Sequence, residues 1–506
     1  MILKKHNVLL LVSLIMLQAC SSVPVLPEKK VNYKVSNELA SNLARYTEPL
    51  VNANSGKTGV FPLLSGVDAF VARLAVVKAA EHSIDLQYYI YRADDTGKLL
   101  LSYLLEAADR GVRVRILLDD LTTKGADDGL MLLASHPNIQ VRLFNPSFER
   151  YFRSISMITG FSRLNSRMHN KSLTVDNQIT IVGGRNIGDE YFSNNSDVDF
   201  GDFDLLTIGS AVDQVSDQFD DYWNAPLAVE ISALNQRRFD ESELAAAELT
   251  HQQQRQILQQ LPYVERMELS ELLVAIRHDE LQWSWGNAEV LYDPPNKVLG
   301  QHSEQWMMSE LSRFFARAER EILLVSPYFV PTKQGVDAIL ATVEAGVKVT
   351  VVTNSLAATD VLAVHAGYQP YRKRLLEGGV ALYEVKVDPL KRPSAWQGSS
   401  RSSLHAKTFI IDREAIFVGS FNFDPRSANI NTELGLVVDV PQLSYDLQQS
   451  IEQLLKKTAY RLRLKDGDIV WHDQLHDRLL YAEPRAGFWR KFLVDLIGLF
   501  PIESQL

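Results

Sequence analysis

Apolar residues recur at Val67, Phe70, Val71, Leu74 and Val77, a helical spacing that predicts a helix over 67–80. The pattern then changes to alternation. Residues 82–91 (His82-Ser83-Ile84-Asp85-Leu86-Gln87-Tyr88-Tyr89-Ile90-Tyr91) are rich in branched and aromatic side chains and read as a strand. Helical spacing returns over 97–110 and stops at Gly111, a residue suited to a helix C-terminus. Residues 112–118 form the next predicted strand, and 139–144 a third. Helix and strand alternate, which predicts a layered α/β unit with helices packed on a sheet.

The same order then repeats. A helix is predicted over 304–318, a strand over 321–329, and a helix over 335–345 that ends at Gly346. The strand 347–352 answers 112–117, and 380–385 answers 139–144. Two similar halves imply a pseudo-two-fold molecule. The predicted organisation is a first α/β domain over 56–225, a helical linker or insertion over 226–285, a second α/β domain over 286–445, and a C-terminal helical region over 446–506. The Gln-rich piece at 252–260 reads as a solvated helix face.

At 506 residues the chain has room for two or more domains, each with an ample core. Its 46% hydrophobic and 23% charged content is ordinary for a globular protein. The formal net charge of −10 argues against a dedicated nucleic-acid binder and leaves room only for a local basic cleft.

The N-terminus reads separately from the fold. Lys4 and Lys5 precede an apolar run at 8–17 that is short for a spanning helix, the pattern of a secretory signal. An uncleaved anchor with an incidental cysteine is the alternative. The run ends in Leu17-Gln18-Ala19-Cys20, which resembles the bacterial lipobox. That resemblance implies a signal peptide over 1–19, cleavage before Cys20, and lipid on its thiol and new amino group. Ser21, in place of an aspartate, is similar to the outer-membrane sorting choice. Cys20 is the sole cysteine, so neither an intramolecular disulfide nor a cysteine metal cluster can form. No later segment has the length and apolarity of a membrane-spanning helix, and residues 20–55 read as a tether.

Both halves carry the same motif in the same place. The first copy runs His169-Asn170-Lys171-Ser172-Leu173-Thr174-Val175-Asp176, then Gly183-Gly184-Arg185-Asn186 after six residues. The second runs His405-Ala406-Lys407-Thr408-Phe409-Ile410-Ile411-Asp412, then Gly419-Ser420-Phe421-Asn422 after six. Both fit H-x-K-x4-D-x6-G-[GS]-x-N. A lone H-x-K is ordinarily an exposed basic strand edge, but two copies in register mark a shared site. Alternation puts His405, Lys407 and Phe409 on one strand face. The glycine turn lets the backbone approach a ligand closely and returns Asn186 or Asn422 beside the histidine and lysine.

Those groups suit a phosphodiester. Lysine and asparagine can hold non-bridging oxygens and stabilise developing charge. One neutral imidazole can attack phosphorus. The other can protonate the leaving alkoxide and later deprotonate the acceptor. One half has one histidine and cannot fill both roles; two facing halves can, with no metal or other cofactor.

The duplicated motif resembles that of the phospholipase D superfamily, over nearly all of residues 60–440. The chain is more closely similar to the bacterial cardiolipin synthases of the C type. The stretches that carry this likeness are Arg163-Leu164-Asn165-Ser166-Arg167-Met168-His169-Asn170-Lys171, Ile181-Val182-Gly183-Gly184-Arg185-Asn186-Ile187-Gly188-Asp189-Glu190-Tyr191-Phe192, Thr353-Asn354-Ser355-Leu356-Ala357-Ala358-Thr359-Asp360 and Gly419-Ser420-Phe421-Asn422-Phe423-Asp424-Pro425-Arg426-Ser427. The resemblance implies a covalent phosphohistidine, with His169 as nucleophile and His405 as acid/base, or the two exchanged. It implies that Glu433 orients a catalytic histidine, with Asp204 as its counterpart and Asp202 as the alternative because the loop there is longer. Asp176 and Asp412 complete the motif's catalytic set, and a structural role bonding to backbone is equally open for them.

The motif fixes phosphodiester chemistry and leaves the acceptor open. Water would give phosphatidic acid; phosphatidylglycerol would give cardiolipin. The resemblance favours cardiolipin synthesis, with phosphatidylglycerol and, as a possible donor, phosphatidylethanolamine as substrates. The acidic balance makes nucleic acid an unexpected partner, and the sequence names no protein partner. Residues 488–500 mix bulky apolar and basic side chains, as an interfacial helix or a docked C-terminal helix would. The lipobox places the enzyme in the cell envelope, facing the periplasm on the inner or outer membrane. A secreted hydrolytic phospholipase D fits that address as well. A nuclease or a non-catalytic membrane scaffold fits the residues less well.

Overall fold

The computed structural model describes residues 29–150, 161–194, 199–300, 306–387 and 402–506. The signal segment and Cys20 lie outside the described residues.

Each half is built on one mixed sheet. In the first, the parallel strands Ser83–Tyr88, Arg113–Asp119 and Ile139–Phe144 continue through antiparallel Ser172–Val175, Ile179–Gly183, Asp204–Gly209 and Thr58–Leu63. In the second, the parallel strands Glu321–Val325, Lys348–Asn354 and Ala381–Val385 continue through antiparallel Thr408–Ile411, Ala415–Gly419, Leu434–Asp439 and Ala288–Tyr292. The two sheets follow the same plan strand for strand. Central strands are buried on both faces, which is why they read as near-continuous apolar runs. The helices fall where the periodicity put them, at Gly66–Ala79, Asp95–Asp109 and Thr332–Glu344. Gly111 (φ +95°) and Gly346 (φ +97°) adopt the left-handed conformation after two of them.

The halves meet through an apolar face. Val60, Leu205 and Ala211 of the first pack in one cluster with Leu323, Ile416 and Leu436 of the second. Val182, Val215 and Leu434 form a smaller cluster beside it. Backbone bonds cross the same boundary. The His169 amide donates to the Thr432 carbonyl (2.8 Å), and the His405 amide to the Gly201 carbonyl (2.8 Å).

Three segments depart from the sequence reading. Within the expected tether 20–55, residues 29–55 pack on the first half. Lys34 N donates to Asp220 (2.7 Å), and Leu43, Ala44 and Thr47 bury one face of the helix Asn42–Ala53. The expected linker 226–285 completes the first sheet at both edges. Ala228–Glu230 pairs with Ile139–Phe144, and Ser284–Gly286 with Thr58–Leu63, while Tyr263, Met267 and Leu272 enter the first core. The expected helical region 446–506 contributes three strands, Ala459–Lys465, Asp468–Asp473 and Arg478–Leu480, which widen the second sheet. Tyr460, Leu462 and Trp471 are buried in that core, a role that period-two spacing in 459–473 serves and helical spacing would not.

Candidate active site

The strands Ser172–Val175 and Thr408–Ile411 start just after the two H-x-K stretches, so each histidine sits at the end of a central strand where the halves meet. His169 and His405, both buried, line one cavity of about 420 Å³. Tyr89 and Tyr191 set their ring edges against the two imidazoles, with centroids 5.0 Å from His169 and 5.4 Å from His405.

Each imidazole is held by a carboxylate from the other half. His169 Nδ1 lies 2.8 Å from Glu433 Oε2, and His405 Nδ1 lies 2.6 Å from Asp202 Oδ2. A carboxylate on Nδ1 fixes the ring's tautomer and orientation. Ser420 Oγ also donates to Glu433 Oε2.

Sheet register makes Asp202, and not Asp204, the counterpart of Glu433. Gly183 pairs with Asp204, as Gly419 pairs with Gly435. Gly184 N donates to the Phe203 carbonyl, as Ser420 N does to that of Leu434. Two residues before each pairing partner stand Asp202 and Glu433. Asp204 therefore corrects the sequence expectation: it is buried on Arg73 (2.9 Å) and Arg185 (3.3 Å), away from either imidazole.

Asp176 and Asp412, expected in the catalytic set, also lie elsewhere. Asp176 accepts from the backbone amides of Glu81, His82 and Ser83 at 2.8–3.0 Å. Asp412 accepts from those of Glu319, Arg320 and Glu321, each at 2.8 Å. Both have left-handed φ (52° and 55°) in the turn after the motif strand. They pin that turn to the entry of the neighbouring strand, at the end of the strand remote from the histidine.

The lysines lie behind the histidines. Lys171 Nζ donates to the His169 carbonyl (2.5 Å), and Lys407 Nζ to that of His405. Lys407 Nζ is also 2.9 Å and 3.1 Å from the two ring nitrogens of His405. Asn186 and Asn422 line the cavity. Asn186 accepts from Ile90 N (3.1 Å) and donates to Tyr191 Oη (2.9 Å), so its amide braces the wall. Asn422 Oδ1 is buried with no hydrogen-bond partner among the described residues.

The glycines of the turn serve close packing of protein on protein. A Cβ on Gly184 would lie 2.2 Å from Asp202 Oδ1, and one on Gly419 would lie 2.5 Å from the Leu434 carbonyl oxygen. The close approach expected for a ligand is made by the carboxylate strand.

Burial shapes the proton affinities. It pushes the Lys171 ammonium down to about 7 and that of Lys407 to about 8, against partial support from Glu433 and Asp202 respectively. It lowers His169 well below its usual value, reinforced by Lys171 and Lys407. His405 is lowered by burial and Lys407, with Asp202 opposing. Burial raises Glu433 to about 7 despite Lys171. Burial would raise Asp202 too, but the charges of His405 and Lys407 hold it below the carboxylate range.

Several cavity residues carried no individual signal in the sequence. Tyr328 Oη donates to Asp360 (2.8 Å), and Asp424 caps the helix Pro425–Asn429 through Ser427 N (2.7 Å). Asp360 and the run Asp424-Pro425-Arg426-Ser427 lie inside the stretches that carried the family likeness. Among the described residues no cluster of His, Cys, Asp and Glu could hold a metal ion.

The family model described as "Cardiolipin synthase, PLD-like domain" matches residues 74–223 and 311–455. Over 482 residues the chain is 42% identical to cardiolipin synthase C of Escherichia coli (strain K12), covering 92% of this chain and 99% of that protein. It is 22% identical over 440 residues to cardiolipin synthase 1 of Bacillus anthracis, covering 86% and 74%. Among solved structures, phosphatidylserine synthase of Haemophilus influenzae Rd KW20 gives a TM-score of 0.55 at 14% identity, over 91% of this chain and 100% of that one, a likeness of fold alone.

Proposed function

The chain belongs to the cardiolipin synthase family of phospholipase D-like proteins, and from that premise we propose that it is a phosphatidyltransferase that joins a phosphatidyl group to phosphatidylglycerol, giving cardiolipin. The observation that carries the reading is reciprocal: two imidazoles face one cavity, each steadied by a carboxylate of the opposite half.

In the proposed reaction His169 Nε2 attacks phosphorus of the donor lipid, phosphatidylglycerol or phosphatidylethanolamine. A phosphorus–nitrogen bond forms as the bond to the leaving alcohol breaks. His405 gives that alkoxide its proton. The neutral His405 then takes the proton from the incoming glycerol hydroxyl, whose oxygen displaces His169. The local charges fit these roles. His169 is held neutral, as a nucleophile must be. Asp202, kept ionised, supports His405 while it carries a proton. Lys171 and Lys407 supply positive charge beneath the phosphate as negative charge builds.

We place the enzyme in the bacterial cell envelope, held by lipid on Cys20. Among the described residues no helix is long and apolar enough to cross a membrane.

Product analysis after incubation with phosphatidylglycerol vesicles tests the reading. Cardiolipin plus glycerol is expected, and phosphatidic acid alone would replace transfer with hydrolysis. Acid-labile, alkali-stable phosphatidyl adduct should be trapped on His405→Ala and be absent from His169→Ala. The reverse pattern exchanges the roles, and near-normal turnover in either variant refutes the shared site.

A further inference from the structure

The helix Phe488–Ile497 carries apolar residues on two faces, and only one is used by the fold. On the inner face Val494 is buried with Leu356 and Ala366, and Arg490 donates to the carbonyls of Leu356 (2.6 Å) and Thr359. The outer face is in water, with Phe488 73% exposed, Trp489 71%, and Phe492 and Leu496 beside them, and so is the turn that follows, with Leu499 80% and Phe500 60% exposed. Phe488, Trp489 and Phe492 lean on one another. A contiguous apolar patch of this kind marks a surface that binds something.

Its place in the fold identifies the partner. Beyond the helix the chain turns at Glu503–Gln505, anchored by Tyr371 Oη to Glu503 (2.6 Å) and by Asn165 Nδ2 to Gln505 (3.0 Å). The Leu506 carbonyl accepts from Arg426 N (2.5 Å). Gln505 and Leu506 line the same cavity as His169 and His405. The helix also packs in one cluster with Leu362, whose neighbours Val361 and Val364 line that cavity, so the exposed face lies beside the cavity's rim.

We propose that residues 488–500 dock the enzyme on a phospholipid bilayer, inserting the outer aromatic face among the acyl chains and setting the cavity mouth at headgroup depth. This rests on the lipid-substrate reading above. A diacyl lipid can then present its phosphodiester to the histidines while its chains stay in the bilayer. The net charge is −10, Arg490 is committed to backbone carbonyls, and the helix's other two charges, Lys491 and Asp495, are of opposite sign, so attachment is by apolar insertion and not by electrostatic attraction.

The test compares the full chain with Trp489→Ser/Phe492→Ser/Phe500→Ser, both on a Cys20→Ser background so that no acyl chain at that thiol contributes. Sedimentation with phosphatidylcholine vesicles containing phosphatidylglycerol should show binding by the parent that is nearly independent of salt. The triple variant should bind at least about a thousandfold more weakly, since three large side chains leave the interface. Turnover on vesicles should fall in step, while turnover on short-chain phosphatidylglycerol below its micellar concentration stays within about twofold, because the variant leaves the chemistry untouched. The matching Leu substitutions should keep vesicle binding. Equal vesicle binding by parent and triple variant overturns the proposal. So does binding that high salt abolishes, or a parent that self-associates through this face with no vesicle binding. Loss of turnover on both substrates in a folded triple variant also overturns it, by making the helix part of the site. If neither parent nor variant turns over lipid, the lipid-transfer reading fails, and the vesicle comparison still decides the docking.

Discussion

Replacing Asp202 or Asp204 singly with Asn should separate catalysis from folding at two buried carboxylates two residues apart. Asp202 Oδ2 holds His405 Nδ1 at 2.6 Å. An amide there keeps the shape but loses the charge, so the ring can take the wrong tautomer and the imidazolium is unsupported. The analogous change behind a serine-protease histidine lowers kcat about 10⁴-fold, or ~5.5 kcal/mol. Lys407 Nζ lies 2.9 Å from the same ring and would then be uncompensated, so a loss of about 10³-fold or more is expected here. Asp204 instead balances Arg73 and Arg185 and accepts from Arg185 N (3.1 Å). Leaving two buried guanidiniums without a counter-charge costs about 3–5 kcal/mol. Asp202→Asn also loses stability at neutral pH. Its carboxyl is held below the usual range, so the stabilisation from its charge is present above the unfolded value of about 3.9 and fades as pH falls through the lower folded value. The discriminating quantity is therefore kcat per folded molecule, with near-UV circular dichroism giving the folded fraction. Asp204→Asn should keep it within about threefold and show a lowered urea midpoint. Equal loss of kcat in both variants, or a fully active Asp202→Asn, would refute the register argument.

Other substitutions probe the same frame. Lys171 is pushed down to about 7, chiefly by burial, so its destabilisation is complete below pH 7 and fades toward the unfolded value of about 10.4. Lys171→Met should remove turnover yet raise thermal stability below pH 7, by roughly 2–4 kcal/mol, with the gain shrinking at alkaline pH; melting curves across pH check this, and a pH-independent gain contradicts it. Gly184→Ala would drive a methyl into Asp202 Oδ1 and should lower kcat about a hundredfold for a stability loss of about 1–3 kcal/mol, read by kinetics and calorimetry. Asp412→Ala frees three backbone amides and should cost about 1–3 kcal/mol in urea titration, with kcat per folded molecule within about twofold.

The duplication, the central strands and the two H-x-K stretches were legible because each is a local pattern: alternation, helical spacing, or fixed intervals between chemical groups. Asp202 was not, because its role depends on which residue of Asp204–Gly209 faces Gly183, and register is a property of paired strands. Reading outward from the strand Leu205 to Ile208 set Asp204 beside Glu433. The pairing of Gly183 with Asp204, against Gly419 with Gly435, moves the match by two residues. Asp176 and Asp412 share the motif's spacing with the lysines for a different reason: the strand between is one fixed length, so the turn that needs pinning always falls at the same interval. The C-terminal strands carry a local signal too: apolar and charged residues alternate through Ala459–Lys465, the period of a strand, and the expectation of helix over 446–506 extends the helix Pro441–Thr458 past the point where that period changes.

The crossing of the carboxylates explains why the motif comes in two copies within one chain. Each histidine takes its carboxylate from the other half, and its own amide donates to the carbonyl just before that carboxylate. Ring orientation is therefore set by how the halves pack, and the packing at that point is apolar: Leu434, next to Glu433, is buried with Val182 and Val215. A slip of one half against the other would pull both rings off their partners together. The symmetry stops at the charges. Lys407 touches the ring of His405, whereas the ring nitrogens of His169 have Glu433, whose other donor is Ser420; the site equivalent to Ser420 is Gly184, which offers no side chain to Asp202. Burial raises Glu433 even against the Ser420 hydroxyl, whereas the charges of His405 and Lys407 hold Asp202 low. A duplicated frame supplies two imidazoles in like geometry, and these local differences give them unlike proton affinities, which the proposed reaction, with one nucleophile and one proton carrier, requires.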